Sequence, residues 1–173
     1  MPVSSAANSG TFTVTATSER EVTITRLFDA PRTLVFDAMT KPEHIVRWWG
    51  RLGDGYSVPV CEVDLRVGGA WRFVNAFPKG QCTFYGIYKE IARPDRLVFT
   101  EIFEPYPDSG SLVTATFTED GGKTRLTVVA EYPSKDVRDM VLKSGMERGA
   151  AISYDRLEEV AAELAGERTS VSE

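Results

Sequence analysis

Apolar and polar positions follow a strand-like pattern through most of the chain between Val22 and Tyr132, then change to a helical period over Ser134 to Leu164. Strands are expected at Val22–Phe28, Val58–Leu65, Ala70–Phe77, Gln81–Ile91, Arg96–Phe103, Ser111–Glu119 and Thr124–Tyr132, from their β-branched and aromatic content. An edge strand is expected where Phe12, Val14 and Ala16 alternate with threonines. Turn residues divide the runs at Gly68-Gly69, Pro78-Lys79-Gly80, Arg93-Pro94-Asp95, Pro105 to Gly110 and Asp120-Gly121-Gly122. Such short connections make consecutive strands antiparallel neighbours, so this part of the chain reads as a meander. Between the first strong strand and the meander, Pro31 begins a helix to about Met39, with Asp29 or Ala30 at its cap, and Pro42 begins a second one to Trp49.

The long C-terminal segment carries Val137, Met140, Val141, Met146, Ala150, Leu157, Val160, Ala161 and Leu164 at spacings of three, four and seven, with charges mostly on the other face. Ser134 is placed to cap it, Asp136 lies in its positive first turn, and Gly166 is expected to stop it. A strongly twisted sheet of this length curls, and one amphipathic helix fills its concave side. Gly145 and Gly149 fall on one face of that helix. They leave either close backbone packing or a side-chain-free patch beside a cavity.

Composition narrows the function. The 173 residues fit one domain over 11–166, with a disordered tail at 1–10 and a polar tail at 167–173. A net charge of −5 argues against a nucleic-acid surface. No apolar run is long enough to span a bilayer, and Met1 to Gly10 does not read as a secretory signal. Cys61 and Cys82, outside any CxxC pair, with the single histidine His44, leave a zinc site without ligands and fit reduced thiols in a cytoplasm. No metal or other cofactor is expected.

Chemistry-bearing residues are few. His44 lies one turn before Trp48 and is either a general acid/base or a surface residue; no nucleophile motif accompanies it. Trp48 and Trp49 point about 100° apart on a helix, so one can enter the core while the other covers a pocket. Glu62 and Asp64 share one strand face, Asn75 shares a face with Trp71, Phe73 and Phe77, and Glu101 shares one with Leu97, Phe99 and Phe103. Polar groups on such faces are paired, hydrated or in a cavity, with Arg72 and Arg125 as candidate partners.

Several stretches together carry a family resemblance. They are Phe28-Asp29-Ala30-Pro31, Leu34-Val35-Phe36, Pro42-Glu43-His44, Arg47-Trp48-Trp49-Gly50, Asp64 to Phe73 with its Arg-x-Gly-Gly, Gly86-Ile87-Tyr88, Pro94 to Val98, and Tyr154-Asp155-Arg156-Leu157. Over residues 20 to 165 the chain resembles the bacterial branch of the activator of heat-shock-protein-ninety ATPase, C-terminal-domain-like family, within the START-like (SRPBCC) superfamily. The resemblance implies an α+β helix-grip fold, with a curved antiparallel sheet wrapped around a long C-terminal helix and two short helices after the first strand. A deep apolar cavity is implied between them. The strand around Phe12 is an addition to the minimal pattern.

The family's eukaryotic namesake stimulates a chaperone ATPase as part of a larger protein, with an additional domain for which these residues leave no room. Other START-like proteins bind lipids, sterols or polyketides, and a few cyclise or dehydrate polyketides. Two readings therefore stand: a non-catalytic binder of a small hydrophobic or aromatic ligand, and a polyketide cyclase- or hydrolase-like enzyme using a cavity carboxylate or His44. A co-chaperone-like module, with a chaperone or other protein partner, is a third. The absence of a catalytic constellation favours binding, by a monomer or homodimer. The candidate cavity residues are Trp48, Trp49, Trp71, Phe73, Phe84, Tyr88, Phe99, Glu101 and Phe117 on the corner and strands, and Gly145, Met146 and Gly149 on the long helix.

Overall fold

In the computed structural model, which describes residues 2–4 and 12–171, nine antiparallel strands form one sheet in the order β1-β2-β3-β9-β8-β7-β6-β5-β4. The strands are β1 (Pro2–Ser4), β2 (Thr13–Ala16), β3 (Glu21–Phe28), β4 (Ser57–Val63), β5 (Ala70–Phe77), β6 (Gly80–Ala92), β7 (Arg96–Phe103), β8 (Ser111–Asp120) and β9 (Lys123–Glu131). Six of them, β4 to β9, are the expected meander. Four helices complete the chain: α1 (Arg32–Thr40), α2 (Pro42–Trp48), α3 (Lys135–Lys143) and α4 (Met146–Val171). This is the α+β helix-grip architecture, a curved sheet with its helices gathered on one face.

Alternation sets that face. In β3, Val22, Ile24, Arg26 and Phe28 are buried and their neighbours are not; in β8, Ser111, Val113, Ala115 and Phe117 point the same way. Against them pack Val35 and Phe36 of α1, Ile45 and Trp48 of α2, and Ala151, Tyr154 and Leu157 of α4, all within one core cluster. Each fully buried Phe or Leu contributes roughly 1.5–3 kcal/mol, which makes this layer the main source of stability.

Several expectations are corrected. The C-terminal helical segment is two helices. α3 ends at Ser144, and Gly145 follows with φ +88°, a conformation that favours glycine. Gly145 is thus a joint and does not share a helix face with Gly149. α4 does not stop at Gly166 but continues to Val171; Gly166 is exposed, with open space around it, so its only cost is helix propensity. Pro31 stands at the cap of α1 itself, with Arg32 as the first helical residue and no side-chain cap. At the N-terminus, Pro2–Ser4 form a strand on β2 where a disordered tail is expected, and so cover the polar edge that β2 would otherwise present. Residues 1, 5–11, 172 and 173 lie outside the described residues. Ser134 does cap α3, its side chain accepting from the Val137 N–H at 3.2 Å.

Candidate functional site

The corner after α2 brings the site together. Trp48, 2% exposed, points into the core and donates its indole N–H to the Ala38 carbonyl at 2.8 Å. Trp49 points towards the sheet, where Asn75 of β5 holds it from two sides. The Trp49 indole donates to Asn75 Oδ1 at 2.9 Å, and Asn75 Nδ2 donates back to the Trp49 carbonyl at 3.2 Å. Asn75 is buried, so this reciprocal pair satisfies groups that would otherwise be costly. Gly50 closes the corner at φ +59°, and a Cβ there would lie 2.3 Å from Asn75 Nδ2. Its N–H donates to the Ser153 hydroxyl on α4 at 3.1 Å. The Trp-Trp-Gly run is therefore clamped between sheet and helix.

Around this corner the rings converge. Trp49 meets Phe73 at 5.1 Å, Phe84 at 5.6 Å and Trp71 at 6.3 Å between centroids, mostly edge to face. Trp71 meets Phe99 at 5.7 Å, and Phe99 meets Tyr88 at 6.3 Å. Trp48, Trp49, Trp71, Phe73, Tyr88 and Phe99, with Met39 and Leu97, enclose one chamber of about 30 Å³. That volume holds a water molecule or two. It is an order of magnitude below the roughly 300–1,000 Å³ of a small-molecule site. The deep cavity that the resemblance implies is filled here by the protein's own rings.

The chamber is lined by apolar groups, and burial shifts the polar groups in and around it. Burial raises the Tyr88 hydroxyl well above its ordinary value, with the Cys61 thiol adding to it. Burial likewise pushes Cys61 up to about 11, with Glu43 adding to it. Beyond Phe99, on the same face of β7, stands Glu101. It is half-buried, and desolvation lifts its carboxyl from 4.5 to about 7. Tyr132 and Tyr154 are both within electrostatic reach of it; burial raises both hydroxyls and Glu101 raises them further.

The other expected residues separate into groups. Phe84 backs Trp49 from outside the chamber wall. Phe117 pairs with Phe36 at 5.3 Å in the core and does not line the chamber. Gly145 is exposed in the α3–α4 joint, Met146 packs on the core at the start of α4, and Gly149 has only Leu52 Cδ1 within 4 Å of its missing Cβ, at 3.8 Å. His44 sits half-buried on α2 and does not line the chamber. Glu62 and Asp64 face solvent and pair with Arg72 at 3.2 Å and Arg66 at 2.9 Å, while Arg125 pairs with Asp120. Sequence reasoning passed over Met39, Leu97 and Tyr132; the first two are ordinary apolar positions, and the third acquires its place only through strand register.

A larger open cleft of about 510 Å³ lies elsewhere, on the surface by Pro31, Arg32, Leu34, Pro94 and Lys123. None of the candidate residues lines it. Among the described residues no group of His, Cys, Asp and Glu is arranged to hold a metal, and no helix is long and apolar enough to cross a membrane.

Comparisons with known proteins place these features in a wider set. The model of the family "Activator of Hsp90 ATPase homolog 1-like protein" matches residues 29–162. No curated protein matches the sequence. Among solved structures, a Rhodobacter sphaeroides protein is 24% identical with a TM-score of 0.80, covering 87% of this chain and 98% of its own. Protein Ms6760 from Mycobacterium smegmatis is 26% identical with a TM-score of 0.73, over 85% and 96% of the two chains. An AHSA1-like protein from Aeromonas hydrophila is 22% identical with a TM-score of 0.62, over 83% and 94%.

Proposed function

Since the chain belongs to the activator of Hsp90 ATPase homolog 1-like family, we propose that it binds a small hydrophobic or aromatic molecule, without catalysis, in the ring-lined chamber between the sheet and the helices. The observation that carries this reading is the convergence of Trp48, Trp49, Trp71, Phe73, Tyr88 and Phe99 on one void. Six aromatic residues that fill most of the space between them leave one small apolar void, and their faces suit another apolar body once they separate. At about 30 Å³ the void admits a ligand only if the rings part. Two features support such an opening. Trp49 is only half-buried, and α3 contains no fully buried residue and joins α4 through Gly145. The free thiols Cys61 and Cys82 support a reducing compartment, the cytoplasm.

An enzyme of the polyketide cyclase or hydrolase kind is the weaker alternative: no carboxylate lines the chamber among the described residues, Glu101 stands only next to it, and His44 is apart from it. Nothing in the geometry favours a chaperone partner.

All three tryptophans of the chain line the chamber, so intrinsic fluorescence reads its occupancy directly. Titration of the native protein with naphthalene or N-phenyl-1-naphthylamine should give a saturable fluorescence change at one ligand per chain and a rise in melting temperature. A native protein that shows neither with any apolar aromatic probe overturns the reading.

A further inference from the structure

Next to the chamber, one step beyond Phe99 on the same strand face, lies a polar row built by register. Glu101 of β7 pairs directly with Ser111 of β8. One step past the Leu112–Glu131 pair, Ser111 stands opposite Tyr132, whose N–H continues the ladder by donating to the Arg20 carbonyl at 2.8 Å. Three polar side chains thus form a row across β7, β8 and β9 on the face the helices cover. α4 supplies a fourth: Tyr154 lies over this face, its ring 6.3 Å from Trp48 of the chamber wall. Ser111, Tyr132 and Tyr154 are each at least nine-tenths buried. Glu101 follows Phe99, a chamber residue, on the same side of the strand. Among the described residues nothing hydrogen-bonds the Glu101 carboxyl, and no cation faces it; the titratable groups that do are Tyr132 from β9 and Tyr154 from α4.

A half-buried carboxyl that no side chain or backbone group hydrogen-bonds is costly to ionise. Here it adjoins the apolar chamber, with hydroxyl groups beside it and no positive charge. Resting on the ligand-binding reading above, we propose that Glu101, Ser111, Tyr132 and Tyr154 are the anchor for the single uncharged oxygen function, hydroxyl or carbonyl, of an otherwise apolar aromatic ligand. Hydroxyls and a carboxyl can donate to or accept from such an oxygen. A permanently anionic ligand is disfavoured, because no arginine or lysine is present to balance it and an ionised Glu101 repels it.

The test is calorimetric titration of the full chain with naphthalene, 2-naphthol and 2-naphthoate at pH 6 and pH 8. Wild type should bind 2-naphthol about tenfold more tightly than naphthalene, the worth of one good buried hydrogen bond. Glu101→Leu should reduce that preference to within about twofold. 2-Naphthoate should weaken by about tenfold from pH 6 to pH 8 in wild type, as Glu101 loses its proton, and not in Glu101→Gln. The wild-type pH profile and the Gln variant keep the test decisive if the Leu variant fails to fold. Equal binding of naphthalene and 2-naphthol by wild type, or a preference that survives in Glu101→Leu, overturns the anchor and leaves the chamber reading standing. Failure of naphthalene itself to bind overturns both.

Discussion

At the scale of single residues, Glu101 has a cost that depends on pH. Its carboxyl titrates at about 7 in the folded chain, against 4.5 ordinarily, because burial disfavours the charged form. Between those values the native protein holds a proton that the unfolded chain has released. The stability it contributes is therefore complete below about pH 4.5 and is lost as pH rises through 7. At about 1.4 kcal/mol per pH unit the interval sets a ceiling of about 3 kcal/mol. Glu101→Gln, which cannot ionise, should be more stable than wild type at pH 8 by up to that amount and close to wild type at pH 4.5. Urea denaturation at the two pH values measures it; the same difference at both would contradict the assignment. Half-buried Trp49 and buried Asn75 show the opposite case, two neutral polar side chains that satisfy each other through mutual hydrogen bonds.

At the scale of elements, two glycines four residues apart behave differently. Gly145 needs its left-handed backbone, so Gly145→Ala should destabilise the protein by about 1 kcal/mol. Hydrogen exchange should show the loss concentrated in α3, which has no fully buried residue to hold it. Gly149 is within a regular helix with nothing closer than Leu52 to its missing Cβ, so Gly149→Ala should stabilise by about 0.5–1 kcal/mol. Melting temperatures that move in the same direction for both would refute this contrast. The pair also marks how far the sequence could be read. Helical period runs through Ser144 and Gly145 without interruption, because the apolar spacing of α3 happens to continue in phase with that of α4; a joint of two residues leaves no gap in the pattern. The meander was legible because each turn carries Gly, Pro or Asp. So were Trp48, Trp49, Trp71, Phe73, Tyr88 and Phe99 as candidates, since large rings on an inward face must meet something. The row from Glu101 through Ser111 to Tyr132 was not, because cross-strand alignment depends on turn lengths and bulges that leave no mark on the residues themselves. The irregular register between Tyr88 and Glu90 is one such bulge.

At the scale of the whole molecule, the sheet is tied to its longest helix through a buried ion cluster as well as through apolar packing. Arg26, on the inner face of β3, donates to Asp155 at 2.6 Å and to Glu158, both on α4, and its guanidinium sits 5.5 Å from the Phe28 ring centroid. Its side chain is 3% exposed, while the two carboxylates are partly solvated and can rehydrate. Arg26→Met should therefore cost about 2–4 kcal/mol, near the lower end of what breaking a buried pair entails. Chemical denaturation that gives a loss under about 0.5 kcal/mol would show that the cluster is incidental. β3 carries a further consequence. It is third of the nine strands in spatial order, and its partner on one side is β9, with Glu21 opposite Glu131. On a ribosome β3, α1 and α2 emerge early and must wait for nearly the whole meander before that neighbour exists. β4 to β8 can pair as each hairpin is made, with α1 and α2 already present to cover part of the inner face. Such long-range closure is slow compared with hairpin formation. The aromatic strands of the meander are thus made beside helices that already exist, while β3 stays without its β9 neighbour until the meander is complete.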